Sequence, residues 1–232
     1  MQALIFDCDG VLVDTERDGH RVAFNEAFAE LGLETVWSVE RYGDLLLTAG
    51  GKERMRRHFD ETGWPESHPD RDALILAIHK LKTEIFMRLI REGRMPLRSG
   101  VARIVDEAIA NGIKLAVCST SNEKAVQAVV DVMLGAERSK HITVFAGDAV
   151  AAKKPAPDIY NLAAQTLTLT PGQCMVIEDS NNGLRAAKAA GMHCTVTVSS
   201  YTGEEDFSLA DKVVADLDAG GVDIAACRAM IG

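Results

Sequence analysis

The sequence ALIFDCDGVLVDT, residues 3–15, decides how the rest of the chain is interpreted. Ala3–Phe6 is a short apolar run, and two acids, Asp7 and Asp9, follow it before Gly10. A run this short and fully apolar is typical of a strand that is buried on both faces of a parallel sheet. Ligands bind such sheets beyond the carboxyl ends of the strands, so the two acids predict a functional site at that edge.

The rest of the chain repeats the pattern of a short strand followed by a helix. Four further apolar runs are found at Lys114–Cys118, Thr143–Phe145, Cys174–Ile177 and Cys194–Val198. Alanine-rich segments with helical spacing lie between them, at Val101–Ala110, Lys124–Leu134, Asp158–Leu167 and Asn182–Ala190. This alternation predicts an α/β fold in which a Rossmann-like, doubly wound parallel sheet is covered by helices on both faces.

One long segment, 14–94, breaks the alternation because it contains helical patterns and no strand-like run. Its first helix is indicated by apolar residues at helical spacing, and a long helix is indicated at about 71–92. We interpret the segment as an α-helical cap domain inserted into a discontinuous core, 1–13 and 95–232. The alternative is that these helices pack on one continuous domain.

The composition narrows the classes of protein to which the chain can belong. Of its 232 residues, 47% are hydrophobic and 25% are charged, with a net charge of −9. This hydrophobic content predicts a folded chain. The acidic balance and the low aromatic content of 5% argue against nucleic acid as a partner. No stretch reaches the roughly 18–20 apolar residues of a membrane span.

The N-terminus and the cysteines suggest a compartment. The first ten residues lack the features of a signal peptide, and the five cysteines show no paired spacing. Both observations favour a reducing environment without structural disulfides. We therefore expect a cytoplasmic monomer with no membrane partner, or a protein of the chloroplast stroma if a transit peptide has been removed.

Polar residues follow four of the predicted strands, where the strand ends should meet. They are Asp7 and Asp9, then Ser119 and Thr120, then Lys154, then Glu178 and Asp179. A single aspartate at a strand end is often only a helix cap. The combination at four strand ends is difficult to explain by capping, and it predicts one polar site.

Four carboxylates at one site would repel one another unless a cation were present. Oxygen ligands without nearby His or Cys favour Mg²⁺, which is often bound together with a substrate phosphate. Lys154 adds a point positive charge, and Ser119 can donate hydrogen bonds to phosphoryl oxygens. The site is therefore suited to phosphoryl transfer, in which one carboxylate can act as nucleophile and a second as acid and base.

The motifs at these strand ends resemble those of the haloacid dehalogenase (HAD) superfamily. They are FDCDGVLVDT (6–15), VCST (117–120), AAKKPAPDIY (151–160) and VIEDSNNG (176–183). The set brackets nearly the whole chain. The resemblance implies a phosphatase, that is, a phosphoric monoester hydrolase, with a helical cap inserted after the first motif.

The resemblance also implies a role for each motif residue. Asp7 corresponds to the nucleophile and Asp9 to the general acid and base, and Ser119 and Lys154 complete the catalytic set. Lys154 is preferred to its neighbour because the motif lysine directly precedes proline. The phosphate is expected on Ser119, Thr120 and Lys154. The implied Mg²⁺ ligands are Asp7, Asp9 (through its backbone carbonyl), Glu178 and Asp179.

Within the superfamily, the segments at 14–28, 43–55, 119–126 and 145–148 resemble the CbbY group. That group converts xylulose-1,5-bisphosphate, an inhibitor of Rubisco, into xylulose 5-phosphate and phosphate. The resemblance implies a small phosphorylated sugar as the partner, with its second phosphate and its sugar bound by the cap. The candidate cap residues are Glu16, His20, Gly50, Gly51 and Lys52, with Lys52 at a helix N-terminus that favours anions.

Three other functions share the same core motifs. One is a phosphomutase of the β-phosphoglucomutase type, and a second is a phosphatase for another small phosphosugar or for phosphoglycolate. A third, from a different class, is a non-catalytic sensor that binds a phosphorylated metabolite. In the cap, the Gly-Gly-Lys sequence at 50–52 is also compatible with an ordinary helix start, and His20 with a structural histidine.

Overall fold

A parallel sheet organises the part of the chain that the computed structural model describes, residues 1–48 and 50–232. Its six strands are β1 (Ala3–Phe6), β2 (Lys114–Cys118), β3 (Ile142–Phe145), β4 (Cys174–Glu178), β5 (His193–Thr197) and β6 (Lys212–Val214). The strand order is β3-β2-β1-β4-β5-β6, and every neighbouring pair is parallel. This order reverses at β1, as in doubly wound sheets. The predicted fold class is confirmed.

The described chain divides into two compact units. The core unit comprises Met1–Thr15 and Met95–Gly232, and the helical unit comprises Glu16–Arg94. The boundaries predicted from the sequence are 13/14 and 94/95. The core unit is therefore discontinuous in sequence, because β1 and β2 are separated by the whole helical unit.

The helical unit begins within a π-helical turn at Thr15–His20. Its helices are α1 (Arg21–Glu30), α2 (Val39–Leu46), α3 (Gly51–Thr62) and α4 (Arg71–Arg91). Phe24 and Phe28, one turn apart on α1, contact the buried Trp37 with ring centroids 4.7 and 4.9 Å away. Their spacing gives α1 an apolar face, which explains why the predicted helix forms here. The sequence does not predict α2, which begins at the N-cap Ser38.

The helices of the core unit pack around the sheet. They are α5 (Val101–Ala110), α6 (Glu123–Leu134), α7 (Ala136–Ser139), α8 (Asp158–Leu167), α9 (Asn181–Ala189) and α10 (Ile224–Ile231). Side chains at two strand ends start helices: Asn122 caps α6, and Ser180 caps α9. These caps join each strand end to the next helix and so fix the loops that carry the polar residues.

The observed strands and helices differ from the predicted ones mainly at the C-terminus. Strand β6 is only three residues long and lies at the sheet edge, with Val213 47% exposed, so it lacks the apolar run that marks a buried strand. Helix α10 lies in the segment 216–232, whose sequence pattern indicates a helix only weakly, yet its Ile224 and Cys227 are buried. Among the described residues, no helix is long and apolar enough to cross a membrane.

Candidate active site

A buried lysine joins two acids at the end of the central strands. The Lys154 ammonium lies 2.6 Å from Asp7 Oδ1 and 2.6 Å from Glu178 Oε1, and it donates to the Cys118 carbonyl at 2.9 Å. Its neighbour Lys153 is 39% exposed and pairs with Asp148 instead. Lys154 is therefore the lysine of this pair that lies within the acidic cluster.

The sheet register brings the acids of this cluster together. Phe6 pairs with Val117 on one side and with Ile177 on the other, so Asp7 lies level with Glu178. Carboxylate oxygens of Asp7, Glu178 and Asp179 all lie within 4.8 Å of one another. Three buried acids this close form a pocket of oxygen ligands of the kind that binds a hard divalent cation.

The electrostatics of the cluster also fit a cation. Burial raises the pKa of Asp7 well above its ordinary value, although Lys154 opposes the shift. Burial and the neighbouring Glu178 raise the pKa of Asp179 to about 8. Burial alone would lower the pKa of Lys154, but Asp7 and Glu178 outweigh it and raise that pKa. One lysine thus leaves a deficit of positive charge, which a divalent cation would correct.

Asp9 is held by hydroxyl groups of the loop that follows β2. Ser121 Oγ donates to Asp9 Oδ2 at 2.6 Å, and Ser119 Oγ is 3.3 Å from the same oxygen. The Ser119 hydroxyl also accepts from the backbone N–H of Ser121 at 3.1 Å. Thr120, between them, is exposed. The structure therefore brings Asp9 and Ser119 together at the start of α6.

Two glycines allow the chain to approach the acids closely. A Cβ atom at Gly183 would lie 1.9 Å from the carboxyl carbon of Glu178. A Cβ atom at Gly10, where φ is +79°, would lie 2.0 Å from Asp179 Oδ2. Neither position has room for a larger residue, so both glycines are part of the cradle around the carboxylates.

Sequence reasoning missed three polar groups around the cluster. Tyr160 on α8 donates to Glu178 Oε1 at 2.6 Å, Ser121 holds Asp9, and a hydrogen bond from Ser199 opposes the rise in the pKa of Asp179. Tyr160 and Ser121 lie within or beside the motifs, but the pattern does not show which way they point. Ser199 follows β5, a strand end at which the sequence predicts no site residue.

A second cluster of polar residues lies within the helical unit. Glu16, on the π-helical turn, accepts from the Tyr42 hydroxyl at 2.6 Å, and Arg54 Nη1 is 3.4 Å from that hydroxyl. Arg54 also donates to the Thr48 carbonyl at 3.0 Å. Glu16 was a predicted substrate residue, whereas Tyr42 and Arg54 were not.

Basic groups predominate in this second cluster. Lys82 Nζ on α4 lies 3.0 Å from His20 Nδ1. Burial lowers the pKa of Lys82 to about 8, aided by Arg54 and opposed by Glu16. Burial, Lys82 and Arg54 together lower the pKa of His20 well below its usual range. This set of desolvated basic groups favours binding of an anion.

The predicted residues at 50–52 lie at the start of α3. A Cβ atom at Gly51 would lie 3.3 Å from the Phe24 ring and 3.7 Å from His79, so the helix start packs closely on its neighbours. Gly50 has φ +91° and is exposed. Lys52 lies close enough to His79 to contribute, after burial, to lowering the pKa of that histidine. Lys82 lowers the pKa of the same histidine, so Lys52 and Lys82 both lie near His79.

The fold and the acidic cluster define a class of enzyme, and comparison with known proteins identifies the same class. The chain belongs to the haloacid dehalogenase-like hydrolases, whose family model matches residues 1–191. It is similar to a CBBY-like protein from Arabidopsis thaliana, with 55% identity over 99% of this chain and 74% of the relative. It is also 46% identical to Protein CbbY from Rhodobacter capsulatus, over 94% of this chain and 95% of that protein.

Solved structures point to the same group. CbbY from Rhodobacter sphaeroides in complex with phosphate superposes with a TM-score of 0.76 and 42% identity, covering 98% of this chain and 99% of that one. A point mutant of the same protein, in complex with xylulose-1,5-bisphosphate, gives a TM-score of 0.75 and 41% identity with the same coverage. The chain is accordingly a CbbY-like phosphatase of the HAD family.

Proposed function

We propose that the chain hydrolyses a sugar bisphosphate, converting xylulose-1,5-bisphosphate into xylulose 5-phosphate and phosphate. The observation that carries the proposal is the buried arrangement in which Lys154 links Asp7 to Glu178 beside Asp179. The substrate follows from the similar CbbY structure that holds this bisphosphate. Removal of the compound would relieve the inhibition of Rubisco that the resemblance implies.

In the first step, an oxygen of Asp7 attacks the phosphorus of the 1-phosphate. The bond between phosphorus and the sugar oxygen breaks, and protonated Asp9 delivers its proton to that oxygen. The products are an aspartyl-phosphate on Asp7 and xylulose 5-phosphate. Lys154, only 2.6 Å from Asp7, offsets negative charge on the phosphoryl oxygens, and Ser119 donates a hydrogen bond to them.

In the second step, water attacks the aspartyl-phosphate. Asp9, now deprotonated, takes a proton from the water, and the bond between phosphorus and Asp7 breaks. Phosphate leaves, and both acids return to their starting states. The Ser121 hydroxyl holds the Asp9 carboxylate in place through this proton exchange.

Mg²⁺ is the proposed cofactor of this site. The cluster of Asp7, Glu178 and Asp179 fits a hard cation because its buried oxygens carry more negative charge than Lys154 balances. The Asp9 backbone carbonyl is the fourth proposed ligand. When bound, the cation would neutralise charge on the phosphoryl group and on the acids.

We place the second phosphate of the substrate on the basic cluster of the helical unit. Burial and the repulsion from Arg54 disfavour the protonated forms of Lys82 and His20 in the unliganded cluster, as the lowered pKa values of both groups show. A dianionic phosphate would relieve that repulsion. Lys52, at the N-terminus of α3, would add a further cation. A substrate with one phosphate has no second phosphate to bind to the basic cluster, so the cluster favours binding of bisphosphates.

The proposed function predicts marked selectivity between two bisphosphates that differ only in configuration at one carbon. With Mg²⁺ present, kcat/KM for xylulose-1,5-bisphosphate should exceed that for ribulose-1,5-bisphosphate by about 100-fold or more. Phosphate release from both compounds, and from glucose 1-phosphate, measures the ratio. Equal rates would contradict the assigned substrate, and isomer interconversion that depends on added sugar bisphosphate would indicate a mutase. Failure to hydrolyse any phosphate ester would favour the sensor.

A second prediction tests the basic cluster with the variant Lys82→Met. This variant should raise KM for xylulose-1,5-bisphosphate at least tenfold, because a charge-assisted contact to phosphate contributes about 1.5–3 kcal/mol. KM for p-nitrophenyl phosphate, which has one phosphate, should change less than twofold. Lys80→Met, on an exposed position of the same helix, is the matched control. An equal rise in KM for both substrates would contradict the assignment.

The pKa of Lys82 gives this prediction a pH dependence. A cation with a pKa of about 8 is progressively lost as the pH rises from 7 to 9. Phosphate binding favours the protonated form, so binding must then take up a proton. In the unmodified protein, KM for the bisphosphate should therefore rise over this interval. Steady-state kinetics at each pH should show a flatter profile for Lys82→Met, and identical profiles would exclude Lys82 as the titrating group.

A further inference from the structure

The Arg98 side chain donates hydrogen bonds to backbone carbonyl groups in three separate segments of the core unit. Its guanidinium donates to the carbonyl of Gly10, after β1, and to those of Thr197 and Val198, at 3.0 and 2.7 Å. It also donates to the carbonyl of Ala215, just after β6, at 2.7 Å. A planar guanidinium has five donors in a fixed fork, so it can hold these segments at set distances from one another.

The backbone of Arg98 is anchored to the same region. Its N–H donates to the Leu12 carbonyl at 2.9 Å, and the preceding residue, Leu97, forms an antiparallel bridge with Val13. Both ends of the arginine are therefore tied to the loop that follows β1. This loop begins with the proposed nucleophile, so its position matters for the chemistry.

Two of the segments that Arg98 holds are in direct contact with acids of the candidate metal site. Gly10 lies so close to Asp179 that a Cβ atom there would meet its carboxylate. The Thr197 hydroxyl, 3.2 Å from Arg98 Nη1, also donates to the carbonyl of Glu178 at 3.4 Å. A shift of the Gly10 loop would displace the Asp179 carboxylate, and a shift of Thr197 would displace the backbone of Glu178. Groups that orient metal ligands in this way commonly influence metal affinity.

We propose that Arg98 is a positioning residue for the divalent-cation site, which it tunes by fixing the Gly10 loop against Asp179 and the end of β5 against Glu178. The inference rests on the proposed function, because it presupposes that these acids bind Mg²⁺. It adds a residue outside the four motifs that does not touch substrate or cation. Its effect should therefore appear in Mg²⁺ affinity before it appears in the chemical step.

The test measures Mg²⁺ binding to the whole protein without substrate. The midpoint of thermal unfolding, Tm, is followed over a series of MgCl₂ concentrations at constant ionic strength, and each variant is compared with its own metal-free Tm. Arg98→Gln should weaken the apparent Mg²⁺ affinity by roughly 10–100-fold. Arg98→Lys should lose less, because an ammonium retains the charge and three donors. This charged variant also keeps the test usable if Arg98→Gln does not fold.

Arg103→Gln is the matched control for loss of a structural arginine. Arg103 bonds Asp218 at 2.8 Å and the Val222 carbonyl at 3.0 Å, and it has no contact with the cluster in the described residues. It should lower the metal-free Tm without changing Mg²⁺ affinity. Equal affinity in Arg98→Gln and the unmodified protein, or equal losses in Arg98→Gln and Arg103→Gln, would overturn the inference alone. Absence of any Mg²⁺ effect on the unmodified protein would instead contradict the cofactor proposal, and the inference with it.

Discussion

Replacing Asp7 with asparagine is expected to abolish phosphatase activity while leaving the protein folded. The amide oxygen can still accept a hydrogen bond from Lys154, so the variant retains the buried hydrogen bond that is 2.6 Å long in the unmodified protein. An amide does not form the covalent phosphoryl intermediate that the carboxylate forms. Loss of a covalent nucleophile in other enzymes costs roughly 10⁴–10⁶ in kcat, and we expect a loss in this range. Initial rates of phosphate release from xylulose-1,5-bisphosphate measure it.

The stability of this variant separates a chemical effect from a structural one. Asp7 is a buried acid whose pKa is raised by burial, so removing its charge should not lower the metal-free Tm at pH 8 by more than a few degrees. Asp131→Asn, which changes an exposed aspartate on α6, should retain full activity. Phosphate release by Asp7→Asn within tenfold of the unmodified rate would rule out Asp7 as the nucleophile.

The arrangement of the core follows from sequence because parallel strands place their ends together. Once β1, β2 and β4 were recognised as short apolar runs, the residues after them had to meet at one edge of the sheet. The observed register then sets Asp7 level with Glu178. Local sequence order and sheet geometry are sufficient for this step, and no knowledge of side-chain packing is needed.

The residues that sequence reasoning missed all depend on how side chains reach across the fold. Arg98 contacts Gly10, which is 88 positions away in the sequence, and Ala215, which is 117 positions away. Neither sequence separation produces a periodic pattern. In the helical unit, Lys82 contacts His20, which is 62 positions away in the sequence. A long basic side chain on an amphipathic helix usually faces solvent, so its pattern does not reveal burial. Strand β6 was missed for the different reason that three half-exposed residues carry too little apolar signal.

Replacing Asp9 with asparagine is the second change for which we expect a large effect, and its signature should differ from that of Asp7→Asn. Asparagine can still accept from Ser121, but it neither delivers a proton to the sugar oxygen nor takes one from water. General acid–base catalysis contributes roughly 10²–10⁴-fold, so hydrolysis of the bisphosphate should fall at least that far because two steps are affected.

A substrate whose leaving group needs no proton distinguishes the role of Asp9 from that of Asp7. p-Nitrophenolate departs without protonation, so Asp9→Asn should still form the aspartyl-phosphate from p-nitrophenyl phosphate but hydrolyse it slowly. Rapid-mixing measurements should therefore show a burst of nitrophenolate approaching one equivalent per protein, followed by slow turnover. Asp7→Asn, which cannot be phosphorylated, should show no burst. Equal losses with both substrates and no burst in Asp9→Asn would contradict a role confined to proton transfer, since only such a role makes the defect depend on the leaving group.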